Sequence, residues 1–334
     1  MKIVVRTPNW VGDAVLALPA VDSLRANFPE AKITLCAGDW VRGIYAPENG
    51  GIDVLPANGV KTWRDLKTSA AALRERGFDV GLLLTNSFGS ALEFFRARIP
   101  ERWGYRRDGR RFLLTKAVPP PDPQAEPRHH VYYYLQLLEK LGLRTATPVL
   151  RLRIPDEEAL AAAAQLEALG VDPRKPLVLM NAGASFGPAK RWPATRFAEL
   201  AGRLRTSRGA QVVLTGAAEE EDLASAVTAA EPKTASLVGR TSLRRLLAVI
   251  GKAALFITND TGPMHMANAL RVPVVALFGP TEPLATAPFH PPAAVLRKPV
   301  PCGPCLYRTC PYDHRCMTAI SVEEAYEACA ALLA

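Results

Sequence analysis

Asn259, Asp260, Thr261, Gly262 and, on the next helical turn, His265 bring a carboxylate, a hydroxyl, unhindered backbone and an imidazole into one short stretch. Apolar runs flank it, Leu255–Thr258 before and Val272–Phe278 after, while Met264, Ala267 and Leu270 are spaced to share one helical face. The pattern predicts strand, polar turn, helix, strand. The polar residues then lie at a strand's C-terminal end and a helix's N-terminus, where N–H groups and the helix dipole favour an anion, and phosphate is the expected one. A histidine on a helix is often structural, yet beside Asp260 and Thr261 it is equally well read as a charge-assisted donor to that phosphate.

A second constellation runs from Asn181 to Pro193, also between a predicted strand and helix. Its glycines, Ser185, Lys190 and Arg191 suit a diphosphate, although the spacing is not that of a Walker loop. Trp192 reads as core. After a further strand come Gly216 and Glu219; Glu219 can accept from ribose hydroxyls or be an exposed charge in the acidic run Glu219–Asp222. Near the N-terminus, Thr7–Asp13 joins a strand to a helix, Gly12 allows close backbone approach, and Asp13 read locally is a helix cap. No G-x-G-x-x-G fingerprint follows this strand, which disfavours a dinucleotide cofactor. Lys61, Trp63 and Arg64 begin another helix, and seven arginines fall between Arg96 and Arg111, so a cationic face for an anionic acceptor is conceivable there.

The elements that must position these groups alternate strand and helix throughout. In the first half, strands are expected at Lys2–Arg6, Lys32–Cys36, Ile52–Leu55 and Asp79–Leu84, and helices at Asp13–Asn27, Trp63–Arg76 and His129–Leu141. After Asn86 the chain becomes basic, and the prolines 119–123 then mark an irregular loop. An extended stretch at Thr147–Pro155 and an alanine-rich helix at Asp156–Leu169 lead into a second round of the same rhythm, ending in a helix at Ser321–Leu333. This α/β pattern predicts two successive doubly wound parallel-sheet domains, 1–150 and 151–320, followed by a C-terminal helix in 321–334.

With 334 residues and 49% hydrophobic content the chain can bury two sizeable cores, and its net charge of +9 favours an anionic partner: nucleotide, nucleic acid or membrane surface. No run approaches the roughly 18 apolar residues of a membrane span and no signal peptide is visible, so a cytoplasmic protein, peripheral to a membrane, is expected. Cys36 and Cys329 read as buried small residues. Cys302, Cys305, Cys310 and Cys316 cluster closely enough to raise zinc, disulfides or free thiols as alternatives.

Taken together, P-N-W-V-G-D-A-V-L from Pro8, N-S-F-G-S-A from Asn86, G-A-S-F-G-P-A-K-R-W-P from Gly183, T-N-D-T-G-P-M-H from Thr258 and the tail C-G-P-C-L-Y-R-T-C-P-Y-D-H-R-C-M from Cys302 resemble the bacterial lipopolysaccharide heptosyltransferases of glycosyltransferase family nine, especially the type II members. The resemblance spans nearly the whole chain. It implies a GT-B fold of two Rossmann-like domains facing a cleft, with the acceptor held by the first and the nucleotide sugar by the second. It also implies that the C-terminal helix packs back towards the first domain.

The implied reaction is inverting, metal-independent transfer of L-glycero-D-manno-heptose from ADP-heptose to the first heptose of the inner core on Kdo2-lipid A. No cofactor beyond the donor, and no nucleic acid, is then expected, and the acceptor is met at the cytoplasmic surface of the inner membrane. Asp13 matches the family's catalytic base, which reverses its local reading. Ser185, Lys190, Asp260, Thr261, Gly262 and His265 match donor positions, Glu219 is a candidate for ribose, and Lys61 and Arg64 match an acceptor-side segment. Phe186 and Ala218 depart from residues some relatives carry. A type I enzyme or another family-nine transferase is the near alternative, and a non-catalytic nucleotide- or RNA-binding protein the distant one.

Overall fold

The computed structural model describes residues 1–45, 52–57 and 62–333. It divides into two compact units, Met1–Arg151 and Leu152–Ala334. In the first, strands β1 (Lys2–Arg6), β2 (Lys32–Ala37), β3 (Asp53–Pro56), β4 (Val80–Leu83), β5 (Glu101–Tyr105) and β6 (Lys116–Val118) form one sheet in the order β3-β2-β1-β4-β5-β6. All neighbours are parallel, with β1 in register with both Lys32–Cys36 and Val80–Leu83.

The second unit repeats the plan with β7 (Leu177–Asn181), β8 (Gln211–Leu214), β9 (Ala235–Ser236), β10 (Leu255–Asn259), β11 (Val274–Phe278) and β12 (Ala293–Arg297). Its order, β12-β11-β10-β7-β8-β9, is that of the first sheet viewed from the other edge, and every pair is again parallel. Central strands are apolar through their middle residues because helices cover both faces; β7, β10 and β11 are buried at every residue.

In each unit the strand order reverses between the first and fourth strands, and an open parallel sheet binds ligands outside the strand ends at that point. The loops placed there are those after β1 and β4 in one unit, and after β7 and β10 in the other. Topology alone therefore singles out Thr7–Asp13 and Ala182–Lys190 with Asp260–His265.

Local sequence sets the helices. Trp63–Arg76 begins where the Thr62 hydroxyl and the Asp65 carboxylate cap each other's backbone N–H, and stops at Gly77 in the left-handed region, φ 63°. The single helix expected over Asp13–Asn27 is two, Val11–Leu16 and Leu18–Asn27, because Pro19 occupies the first turn of the second. The basic segment after Asn86 carries regular elements that its sequence pattern does not reveal. It holds the helix Phe88–Arg96 and strands β5 and β6, with Phe94 and Leu113 in the core of this unit. The C-terminal helix Val322–Leu332 packs on the helix Ala194–Arg208 and on β10–β12, inserting Val322, Ala325 and Cys329 into the second unit's core.

Candidate active site

The β7 and β10 loops are tied together by one asparagine. Asn259 Nδ2 donates to the carbonyls of Ala182 (2.8 Å) and Gly183 (3.0 Å), and its Oδ1 accepts from the Trp192 amide (3.0 Å), so both ends of the loop after β7 hang on the end of β10. Trp192 is fully buried, edge-on to Phe197, with its indole N–H donating to the Ile320 carbonyl, as its reading as core requires.

Lys190 lies on this fixed loop and reaches Asp260. Its Nζ donates to Oδ2 at 2.5 Å and to the Asp260 carbonyl at 3.3 Å, and the two side chains are only 12% and 6% exposed. Thr281 donates to the same Oδ2 at 2.8 Å and Thr286 contributes a longer bond of 3.5 Å to Oδ1. A buried carboxylate held this way fixes the ammonium, whose remaining face lies 4.9 Å from the Phe186 ring centroid. Beside it begins the helix Gly262–Ala269. Its N-cap residue, Thr261, makes no side-chain cap; that hydroxyl pairs with Thr258 at 2.9 Å instead. First-turn backbone at the partly exposed Thr261 and Gly262 is thus available to an anion. Ser185 is exposed on the neighbouring loop, whereas His265 is 3% exposed, inside the helix–sheet layer.

The acidic run after β8 contains a residue that sequence reading passed over. Glu219 is exposed, but Glu220 is 8% exposed and its Oε2 accepts from the Ala217 amide at 3.0 Å. The Ala184 amide also hydrogen-bonds this carboxylate, so Glu220 clamps the β7 loop to the β8 loop. A Cβ at Gly183 would overlap the carboxyl group and one at Gly216 would come within 2.7 Å of it, which explains both glycines. Burial raises the Glu220 carboxyl above its ordinary range, against the opposing pull of the two amides and Arg191.

An acid whose folded pKa is raised binds a proton in the native state that the unfolded chain has already lost. Its contribution to stability is present below the unfolded value near 4.5 and declines as pH rises through the folded one. Comparing urea unfolding midpoints, wild type should lose ground to Glu220→Gln as pH is raised across that window. A constant difference from acid to neutral pH overturns this account.

The cysteine-rich tail braces the same loop. The Arg308 carbonyl accepts from the Ala189 amide at 3.0 Å, His314 Nε2 lies 2.7 Å from the Ala189 carbonyl, and the Arg308 guanidinium covers the Phe186 ring at 5.3 Å. Gly187 adopts φ 150° against the Arg308 backbone, where a Cβ would collide. Cys302, Cys305, Cys310 and Cys316 are free thiols, and among the described residues no three His, Cys, Asp or Glu side chains are arranged to hold a metal ion. Burial, then the three neighbouring thiols, push the Cys316 thiol up.

In the first unit, Asp13 is not the cap. The helix starts at Val11 with Trp10 as N-cap, and Asp13 lies inside the first turn. The Tyr134 hydroxyl hydrogen-bonds its carboxylate, and His130 Nδ1 stands 3.6 Å from Oδ1. Burial, and then the Asp13 charge, hold the Tyr134 phenol well above its usual range, so Tyr134 stays a donor. The Asp13 side chain is 30% exposed: anchored on one side, open on the other. Of the two acceptor candidates, Arg64 is exposed on the Trp63–Arg76 helix, and Lys61 lies outside the described residues.

The glycosyltransferase family 9 (heptosyltransferase) model matches residues 67–315, three quarters of the chain. The chain belongs to glycosyltransferase family 9. It is similar to lipopolysaccharide heptosyltransferase 2 of Escherichia coli K12, 35% identical over 311 residues that cover 89% of this chain and 88% of the relative. Lipopolysaccharide heptosyltransferase 1 of Pseudomonas aeruginosa is 32% identical over 349 residues, covering 94% and 88%. The solved structure of E. coli ADP-heptose LPS heptosyltransferase II shares 30% identity with a TM-score of 0.86, over 100% of this chain and 98% of that one. The two parallel α/β units are thus the GT-B fold of this glycosyltransferase family. The matched span contains every donor-side candidate from Ser185 to His265, whereas Asp13 lies before it.

Proposed function

We propose that this family 9 glycosyltransferase moves L-glycero-D-manno-heptose from ADP-heptose to the first heptose of the lipopolysaccharide inner core, on a Kdo2-lipid A acceptor. The observation that carries the proposal is the buried Lys190–Asp260 pair beside the uncapped N-terminus of Gly262–Ala269, a ready receptor for a diphosphate. The likeness to heptosyltransferase 2 over 89% of the chain supplies the sugar and the acceptor class.

The transfer is a single inverting displacement. The acceptor hydroxyl attacks the anomeric carbon from the face opposite ADP, Asp13 takes its proton, and the bond from that carbon to the diphosphate oxygen breaks with both electrons going to ADP. An oxocarbenium-like sugar passes between the two oxygens without a covalent enzyme intermediate. Lys190 and the Thr261 and Gly262 backbone receive the charge that grows on the diphosphate, so no metal ion is invoked. Ser185, on its exposed loop, and His265, in the first turn of the Gly262–Ala269 helix, are assigned to the donor, Glu219 to the ribose, and Arg64 and Lys61 to the anionic acceptor. The enzyme works in the cytoplasm against the inner membrane; among the described residues no helix is long and apolar enough to cross one.

The deciding assay offers ADP-heptose, in excess EDTA, with two acceptors: Kdo2-lipid A and heptosyl-Kdo2-lipid A. Transfer confined to the second is expected. Transfer to the first makes it a type I activity, and dependence on added metal removes the metal-free mechanism.

A further inference from the structure

Six large aromatic side chains of the first unit are exposed; Trp10 (55%) and Trp40 (51%) belong to the loops after β1 and β2, and the other four are Trp63 (71%), Phe88 (41%), Phe95 (45%) and Phe112 (72%). These four are not scattered. Phe88 and Phe95 stand two turns apart on the helix Phe88–Arg96, so they share a stripe. The Phe112 ring lies 6.0 Å from that of Phe88, and Trp63 is joined to the same helix by the Arg96 guanidinium, 5.9 Å over its ring. Arg102 covers Phe95 at 5.4 Å. The helices Trp63–Arg76 and Phe88–Arg96 pack on each other, and the turn Arg111–Leu113 packs on the second of them, so one continuous strip results.

The charge of this strip is one-sided. From Phe95 to Lys116 the chain carries seven arginines and one lysine against two acids, Glu101 and Asp108. Arg110 is buried, but Arg96, Arg98, Arg106, Arg107, Arg111 and Lys116 are exposed. None of these groups belongs to the donor loops or contacts Asp13. Exposed aromatic rings interleaved with arginines are costly for a surface that meets only water, and they match a bilayer interface, where rings enter the headgroup layer and guanidinium groups meet lipid phosphates.

We propose that the strip formed by Trp63, Phe88, Phe95 and Phe112 with their surrounding arginines is the surface by which the enzyme docks on an anionic phospholipid bilayer. This rests on the heptosyltransferase reading insofar as the acceptor is lipid-borne. Single-stranded RNA also engages arginines and stacks its bases on exposed rings; the lipid-borne acceptor favours the bilayer, and RNA binding is an outcome of the test. Neither rings nor cations alone give firm attachment; their combination supplies the two signals that stable interfacial binding requires.

The whole protein is sedimented with vesicles of phosphatidylcholine alone and with vesicles of equal parts phosphatidylcholine and phosphatidylglycerol. Wild type should bind only the second. Two variants, Phe95→Ser with Phe112→Ser and Arg106→Glu with Arg111→Glu, should each lower partitioning by about ten-fold or more. Both should keep wild-type thermal unfolding and lose transfer to acceptor embedded in vesicles, and the phenylalanine variant should keep wild-type transfer to a deacylated, water-soluble acceptor. Undiminished vesicle binding in both variants overturns the proposal, as does wild-type binding to single-stranded RNA with none to the anionic vesicles. If vesicle binding depends on the strip but no heptose is transferred to any acceptor, the docking surface stands and the proposed reaction falls.

Discussion

Replacing Asp13 by asparagine is expected to lower the turnover of heptose transfer by about 10²–10⁴-fold, the usual worth of a positioned general base. Asparagine keeps the shape and can still accept the Tyr134 hydroxyl bond, so the helix Val11–Leu16 and the buried residues beside it should be undisturbed. The loss should fall on turnover. ADP affinity, measured by calorimetry, should stay at the wild-type value, since the residues assigned to the diphosphate are in the other unit. His130, 3.6 Å from the carboxylate, is the nearest group able to take over as base. Turnover in Asp13→Asn close to wild type would show that the acceptor proton leaves by another route. A loss confined to ADP affinity would show that Asp13 supports the fold of the donor site and not the chemistry.

The sequence pattern was most readable where strands are buried on both faces. The predicted runs Lys2–Arg6 and Gln211–Thr215 match β1 and β8 to within a residue, because continuous apolar runs between polar turns have few other uses. The loops after β7 and β10 were placed for the same reason: each follows such a run and precedes a helix. What escaped were three half-exposed strands far from the sheet centres. Glu101–Tyr105 and Lys116–Val118 lie among arginines that mask any alternation, and Ala293–Arg297 follows a proline-rich turn and pairs on one side only. The helix Phe88–Arg96 was hidden by the same arginines, although Ser87 caps it by accepting from the Ser90 amide. Glu220 escaped for a different reason. In Glu219–Asp222 four consecutive acids look alike, and what distinguishes one is Gly183 lying across it from the distant loop after β7, a contact no local pattern encodes. Asn259 was recognised as polar and well placed, but its three bonds to the β7 loop are likewise non-local.

Lys190→Ala should weaken ADP-heptose binding at least ten-fold, about 1.4 kcal/mol. The expectation needs a control, because the same change leaves the Asp260 carboxylate, 6% exposed, without its counter-ion and held by the Thr281 and Thr286 hydroxyls. Breaking one side of a buried ion pair typically costs about 3–5 kcal/mol, so the single variant should also unfold more readily, and a damaged site could by itself explain poor binding. Lys190→Met combined with Asp260→Asn separates the two effects. Methionine keeps the aliphatic bulk against Phe186, asparagine can still accept from Thr281, and no uncompensated charge remains, so most of the lost stability should return. Donor affinity should not return with it if the Lys190 ammonium contacts the diphosphate, since a neutral side chain cannot replace that charge-assisted bond. Recovery of both in the double variant would reduce Lys190 to a counter-ion for Asp260 and leave the diphosphate to the Gly262–Ala269 helix and its neighbouring loops. Recovery of stability alone assigns the lysine to the leaving group.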